Sequence, residues 1–387
     1  MLLSIAISLV ILILCYLFNN IAYPMFLSTE KYSLLEYFNP KEQDIDDAIF
    51  VNVSYDKMLI ADTVEVPDTN RKRAITDRKR LLDFLKKVES TNYRHLFLDI
   101  RFEQNEYSEY DSALTIQLLR MRDVAIAKHW DLNNGGPYPM TDSRMEPLGF
   151  YCDFDESKSN SGFYKYRYLQ NGESSIAMEM YRHATNRSIT KHGLLYFDGC
   201  KLCQNALFLT IHTSMENEWQ EDNNEIGNTE FYFHLSELIF DSITWNRFRD
   251  DVSGKYLIIG DMKEDLHDTY AHAQPGAYLH YLGYKSLLER KHIVRWYYVL
   301  FLFLFYTFII YIILQGVRKE TIHWSPFKWI AQRPLIHFLC SLLGYGFILS
   351  LLSSLLYLLG DKAYNITIPS LTFALLSNLV QFIKMRK

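Results

Sequence analysis

Asp, Glu, Lys and Arg are absent from four stretches of this 387-residue chain, Leu2–Phe18, Trp296–Leu314, Leu335–Leu359 and Ile366–Ile383, and the one histidine in them, His337, lies near the end of its run. A proton relay or ion pathway needs ionisable groups at membrane depth, so their absence argues against transport. The chain also has no G-x-S-x-G, H-E-x-x-H, P-loop or G-x-G-x-x-G motif, which closes the commonest hydrolase, zinc-protease, nucleotide and dinucleotide routes. Cysteine is scarce, with five in all. Cys200-Lys201-Leu202-Cys203 has redox or half-ribbon spacing, but no second pair follows, and ligand count excludes a zinc ribbon. Cys152, Cys200 and Cys203 are left as a disulfide pair or as free thiols. There is no basic excess either: the net charge is −5, and nucleic acid is not an expected partner.

The uncharged stretches themselves are the strongest positive signal. Each C-terminal run matches the roughly 17–25 apolar residues that cross hydrocarbon as a helix. Leu2–Phe18 lacks a basic n-region and a small-x-small cleavage site, so it reads as an uncleaved anchor rather than a signal peptide. The loop with Arg318, Lys319, Lys328 and Arg333 and the tail with Lys384, Arg386 and Lys387 are basic. The positive-inside rule puts both in the cytoplasm and the large hydrophilic segment outside. The expected organisation is an anchor over 1–23, an extracytoplasmic domain over 24–294, and three spans over 295–387. That is a multi-pass protein of the cytoplasmic membrane, in contact with membrane lipid.

Within the hydrophilic segment, Ala48–Val53, His95–Ile100 and Asp123–Ala127 read as strands. Helical stripes separate them: Leu81, Leu82, Leu85 and Val88 behind Thr76 as the cap, then Leu114, Leu118 and Met121 after Asp111. Alternation of this kind implies parallel crossovers and an α/β fold with a mostly parallel sheet and flanking helices. Asn205–His212 and Glu230–His234 look like further strands, and 216–225 like an acidic loop. Tyr256–Gly260 is a buried strand, and a helix striped by Leu279, Leu282, Leu287 and Leu288 follows Pro275-Gly276.

The succession Asp77-Arg78, Phe97-Leu98-Asp99-Ile100-x-Phe102, Asp111 with Leu114, Lys255–Gly260, Asp265, Asp268-Thr269, Pro275-Gly276 and His280 resembles the CHASE2 family. Those are extracytoplasmic sensory domains of bacterial membrane receptors, with one span before the sensor and three after it. The resemblance implies a sensor that binds a small molecule or a protein outside the cell, signals through its spans and pairs as a homodimer. Family receptors continue into an output domain. Here the expectation is that a separate cytoplasmic or membrane protein supplies it. The family's usual acidic pair after the first strand is replaced by Asn52-Val53-Ser54-Tyr55-Asp56.

Ligands of open α/β sheets bind outside the carboxyl ends of the strands. Asp99, Arg101, Asp261, Asp265 and His267 fall at such ends, and Asp111 and His280 join them through the family pattern. These seven are the expected ligand-binding residues. No catalytic residue, metal or cofactor is expected. Two other readings stay open: an envelope enzyme, metal-dependent or not, working through the 265–280 loop with its His267, His272 and Asp268, and a membrane scaffold without a pocket.

Overall fold

The structure, a computed structural model, describes residues 1–20, 45–61, 72–103, 106–131, 136–153, 165–170, 172–207, 209, 231–269, 273–315, 333–360 and 367–385. The expected acidic loop 216–225, most of the basic loop and His272 lie outside them. The chain divides into two compact units, one of residues 40–189 with 209–289 and the other of residues 1–39, 190–208 and 290–387.

In chain order the elements used below are α1 (Leu2–Asn19), β1 (Ala48–Asn52), β2 (Lys57–Ala61), β3 (Lys72–Thr76), α2 (Arg78–Val88), β4 (His95–Asp99), α3 (Asp111–Arg120), β5 (Val124–Lys128), β6 (Gly149–Tyr151) and α4 (Ile176–Thr185). There follow β7 (Ile189–His192), β8 (Leu195–Asp198), β9 (Lys201–Cys203), β10 (Tyr232–His234), α5 (Leu235–Phe240), α6 (Ser242–Asp251), β11 (Tyr256–Gly260), β12 (Leu266–His267), β13 (Gln274–Pro275), α7 (Gly276–Leu288), α8 (Trp296–Gln315), α9 (Pro334–Gly360) and α10 (Thr367–Met385).

The first unit is α/β. A six-stranded sheet runs in the order β10-β1-β11-β4-β5-β6, and every neighbouring pair in it is parallel. The apolar runs of β1 and β11 are buried along their whole length, as strands covered on both faces must be. On one face Ile49, Val51, Leu96, Leu98, Ile126, Leu257 and Ile259 pack against Leu81, Leu85, Leu114, Leu118, Leu238 and Phe248 of the covering helices. The other face carries Phe50, Phe97 and Tyr256. Phe50 meets the rings of Tyr278 and Tyr281 edge-on, and Tyr256 meets Tyr284 at 4.9 Å.

Two local readings change. Asp77, not Thr76, caps α2, accepting from the backbone N–H groups of Lys79 and Arg80; a carboxylate one residue closer reaches both orphan donors. The α7 stripe is wrapped all round, because Gly276 to Leu282 and Tyr284 are all buried. Gly283 explains the close fit: a Cβ there would stand 3.0 Å from Ala177 Cβ and 3.1 Å from the Tyr166 ring.

The second unit holds the apolar helices. Two of them, Trp296–Gln315 and Leu335–Leu356, are long and apolar enough to cross a membrane; Leu2–Phe18 and Thr367–Ile383 are shorter. Two such helices, not four, therefore meet the length criterion among the described residues. Leu302, Tyr306, Ile310, Leu349, Leu356 and Phe373 form their shared core with Ile11. Large apolar side chains remain exposed in rows, as with Leu343 (74%), Phe347 (66%), Leu351 and Leu355 on α9. The strands β7, β8 and β9, of which β8 and β9 are antiparallel, belong to this unit from Thr190 onward. The Tyr16 hydroxyl donates to the Cys203 carbonyl at 2.9 Å and accepts from Tyr196 N–H at 3.1 Å. Buried His292 meets Asp198 at 3.1 Å. All five cysteines are free thiols, so no disulfide ties Cys152, Cys200 or Cys203.

Phe97 is fully buried in the central strand β4, and its ring meets His280 edge-on at 5.5 Å. Phe97→Ala should cost about 3–5 kcal/mol, read as a lowered midpoint of chemical unfolding of the detergent-solubilised chain.

Candidate functional site

All six strands being parallel, their carboxyl ends meet at one rim. Cross-strand register places Asn52 beside Gly260 and Gly260 beside Asp99. Gly260 is needed here for space: a Cβ would lie 3.0 Å from Ala277 Cβ and 3.2 Å from Asp99 Cβ. Beyond β11, the β12–β13 pair closes with His267 opposite Gln274 and Leu266 opposite Pro275. That register brings Asp265, just before the pair, to Gly276, just after it; Gly276 N–H donates to the Asp265 carbonyl at 3.0 Å.

Three polar atoms converge above Gly276. A Cβ on this residue would stand 2.5 Å from Asp265 Oδ2, 3.2 Å from Asp99 Oδ2 and 3.2 Å from His267 Nε2. His267 Nε2 lies 3.3 Å from Asp265 Oδ1. Among the described residues, Asp99 Oδ2 is buried without a hydrogen-bond partner, and so are both side-chain polar atoms of Gln274. Unsatisfied buried polar atoms are few in native proteins and call for an explanation such as a ligand or water. Burial, followed by the charge of Asp265, raises the Asp99 carboxyl from 3.8 to about 7. Burial pushes Asp265 the same way, but its hydrogen bond and charge contact with His267 bring it below the usual carboxylate range. The α7 N-terminus beside these carboxylates favours their negative charge.

The next strand ends extend the rim. Lys128 pairs with Tyr151 across β5 and β6, so the residues that follow, His129 and Cys152, stand side by side. Cys152 Sγ is 3.4 Å from His129 Nδ1, and that nitrogen is 2.7 Å from Asp153 Oδ1. Trp130 N–H holds the other Asp153 oxygen at 2.6 Å. The ligand atoms of His129, Cys152 and Asp153 all lie within 4.8 Å of one another, the spacing of a set able to hold a metal. Burial, then the charges of Asp153, Asp99 and Asp265, raises the Cys152 thiol well above its ordinary value.

Of the seven expected residues, the structure unites Asp99, Asp265 and His267. His280 stands behind them, 1% exposed, with Nδ1 2.7 Å from the Tyr166 hydroxyl; burial lowers it to about 3, so it is a neutral support. Asp261 belongs to a closed network. It accepts from Lys57 at 2.5 Å, Ser54 at 2.7 Å and Glu264 N–H at 2.7 Å, while Asn52 Oδ1 accepts from Ser54 and from Met262 N–H. Asp111 is separate again. With Glu106 it surrounds buried Arg78, whose Nε is 3.6 Å from Asp111 and whose guanidinium lies 4.1 Å over the Phe102 ring. Arg78 also donates to the Arg101 carbonyl, so Arg101 shapes this turn through its backbone while its side chain is exposed. Sequence reading missed His129 and Asp153. The available signal was that they stand just beyond strand ends, the edge at which Asp99 closes β4.

Two outcomes test this division of roles. Asp99 binds its proton more tightly folded than unfolded, so its contribution favours the folded state at low pH and is lost as pH rises through about 7. Asp99→Asn should flatten the fall of Tm between pH about 4 and about 7; an unchanged slope contradicts the assignment. Arg78→Met takes one guanidinium from two buried carboxylates, leaving Glu106 with Arg73 at 2.9 Å and Asp111 with the Ser108 N–H at 2.7 Å, and should cost up to about 3 kcal/mol at neutral pH. Burial already holds Glu106 and Asp111 above their usual values, so this deficit should shrink as the medium is acidified.

No family model, curated protein or solved structure matches this chain.

Proposed function

We propose that the chain is a membrane-attached sensory module, resembling CHASE2 domains, whose α/β unit takes a polar ligand at the Asp99–Asp265–His267 rim. One observation carries the reading: a buried carboxylate oxygen, Asp99 Oδ2, without a partner among the described residues at the carboxyl edge of a parallel sheet, where such sheets bind their ligands. A ligand donating hydrogen bonds or positive charge there supplies what the fold leaves out. The exposed apolar rows of α8, α9 and α10 suit a lipid surface. All four apolar helices, α1 included, then act as spans, with the α/β unit on the extracytoplasmic side.

The ligand acts on α7, whose first residue touches the rim and whose chain runs through residues 289–295 into α8. A ligand that favours one placement of α7 shifts the population of the states the spans adopt, and a partner protein in contact with those helices reads the shift. A second reading, an envelope enzyme, draws on the same carboxyl: a group titrating at about 7 beside a His–Asp pair has the properties of a general acid or base.

Mass spectrometry of the intact chain in mild detergent should find a small polar molecule that Asp99→Asn and Asp265→Asn variants release. Equal retention by both variants refutes the site. A topology reporter inserted at Asn160 should be active outside the cytoplasm, and a cytosolic signal refutes the orientation. Turnover of a retained molecule, lost in Asp99→Asn, would select the enzyme over the sensor.

A further inference from the structure

We infer that His129, Cys152 and Asp153 form a binding site for a divalent transition-metal ion of the zinc class, next to the Asp99 rim. The inference rests on the proposed ligand site in one respect only, that the ion's free position faces the same polar ligand. It departs from the expectation of a metal-free protein.

The donors are set by register, not by a motif. Parallel pairing of Lys128 with Tyr151 sends His129 and Cys152 off adjacent strands together, and Cys152 N–H donates to the Lys128 carbonyl at 3.3 Å. For a tetrahedral ion with bonds of about 2.3 Å to sulfur and 2.0–2.1 Å to nitrogen, the two donor atoms stand about 3.5 Å apart. The observed Sγ–Nδ1 distance is 3.4 Å. Nδ1 and Asp153 Oδ1, now hydrogen-bonded at 2.7 Å, must open to about 3.4 Å to share an ion. Asp153 keeps its orientation through Trp130 N–H at 2.6 Å, the kind of outer contact that aims a ligating carboxylate.

The donor chemistry selects the ion. One thiolate, one imidazole and one carboxylate suit zinc, cobalt or nickel rather than magnesium or calcium. Three carboxylates, Asp99, Asp153 and Asp265, lie near enough to Cys152 to act on it, with Arg101 opposing them, and among the described residues one oxygen of Asp99 is buried unpaired. On binding, the Cys152 thiol proton goes to solvent, and the imidazole carries its remaining proton on Nε2. No electron is transferred. Three protein donors leave a tetrahedral ion one position for water or for a ligand donor atom, the arrangement of sites that act on a bound molecule.

Cobalt(II) titration of the full chain, purified in detergent and stripped of metal, tests this. The expected result is one equivalent bound with a near-ultraviolet thiolate-to-cobalt charge-transfer band. The band should vanish in Cys152→Ser and survive in the Cys200→Ser/Cys203→Ser double variant. Asp153→Asn, which keeps the thiol and the backbone contacts, should weaken cobalt binding at least tenfold, and serves if Cys152→Ser does not fold. Absence of the band from the unmutated chain, or its loss only in the double variant, overturns the inference. If the band is absent while the Asp99→Asn variant still releases a molecule that the parent retains, the metal is refuted and the ligand site stands.

Discussion

The parallel register of six strands is the constraint on which the rest depends. Backbone pairing alone decides that Asn52, Gly260 and Asp99 end side by side, and that His129 and Cys152 follow one strand over. An antiparallel neighbour anywhere in this series would send one of these residues to the opposite edge. The absence of a side chain at Gly260 and Gly276 completes the arrangement, because a methyl group at either place would enter the space of Asp99. Hydrophobic burial stabilises the sheet, but polar chemistry collects where the sheet stops.

Charge in this unit is organised in two ways. Around Asp261 the donors and acceptors answer one another, with Lys57, Ser54 and a backbone amide on one carboxylate; around Arg78 the charges balance, with Glu106 and Asp111 at 3.8 and 3.6 Å from one guanidinium, although Arg78 Nε and Asp111 Oδ1 make no hydrogen bond among the described residues. Such networks shape loops. Along the edge from Asp265 to Asp153 three carboxylates, a thiol and histidines crowd together, and among the described residues an acceptor at Asp99 is left without a donor. A fold tolerates an unanswered buried acceptor at a cost of order 1–3 kcal/mol, and functional sites are where such costs are commonly met.

The α/β alternation was legible because apolar runs of Ala48–Asn52, His95–Asp99 and Tyr256–Gly260 are long enough to mark doubly covered strands. Asp99, Asp265 and His267 were legible from the strand-end rule. Asp261 obeyed the same local signal and Asp111 came from the family pattern, yet Asp261 fell into a closed network and Asp111 beside Arg78, since sequence order does not tell which lysine or arginine will fold back onto a carboxylate. Cys152 was noticed for its possible disulfide; its relation to His129 depends on a pairing between β5 and a three-residue strand, β6, which carries almost no periodicity. The strands β7–β9 read as part of the hydrophilic body because hydropathy says nothing of which unit a hairpin joins.

The strand order has a consequence for synthesis. β11 lies between β1 and β4, although both are made long before it, with residues 100–255 translated in between. Until residue 260 leaves the ribosome, two hydrophobic strand edges face the gap that β11 will fill. Unpaired edges of this kind are where chains stick to one another, so the nascent protein is most exposed to aggregation, and most in need of a chaperone, during the interval before its middle strand arrives.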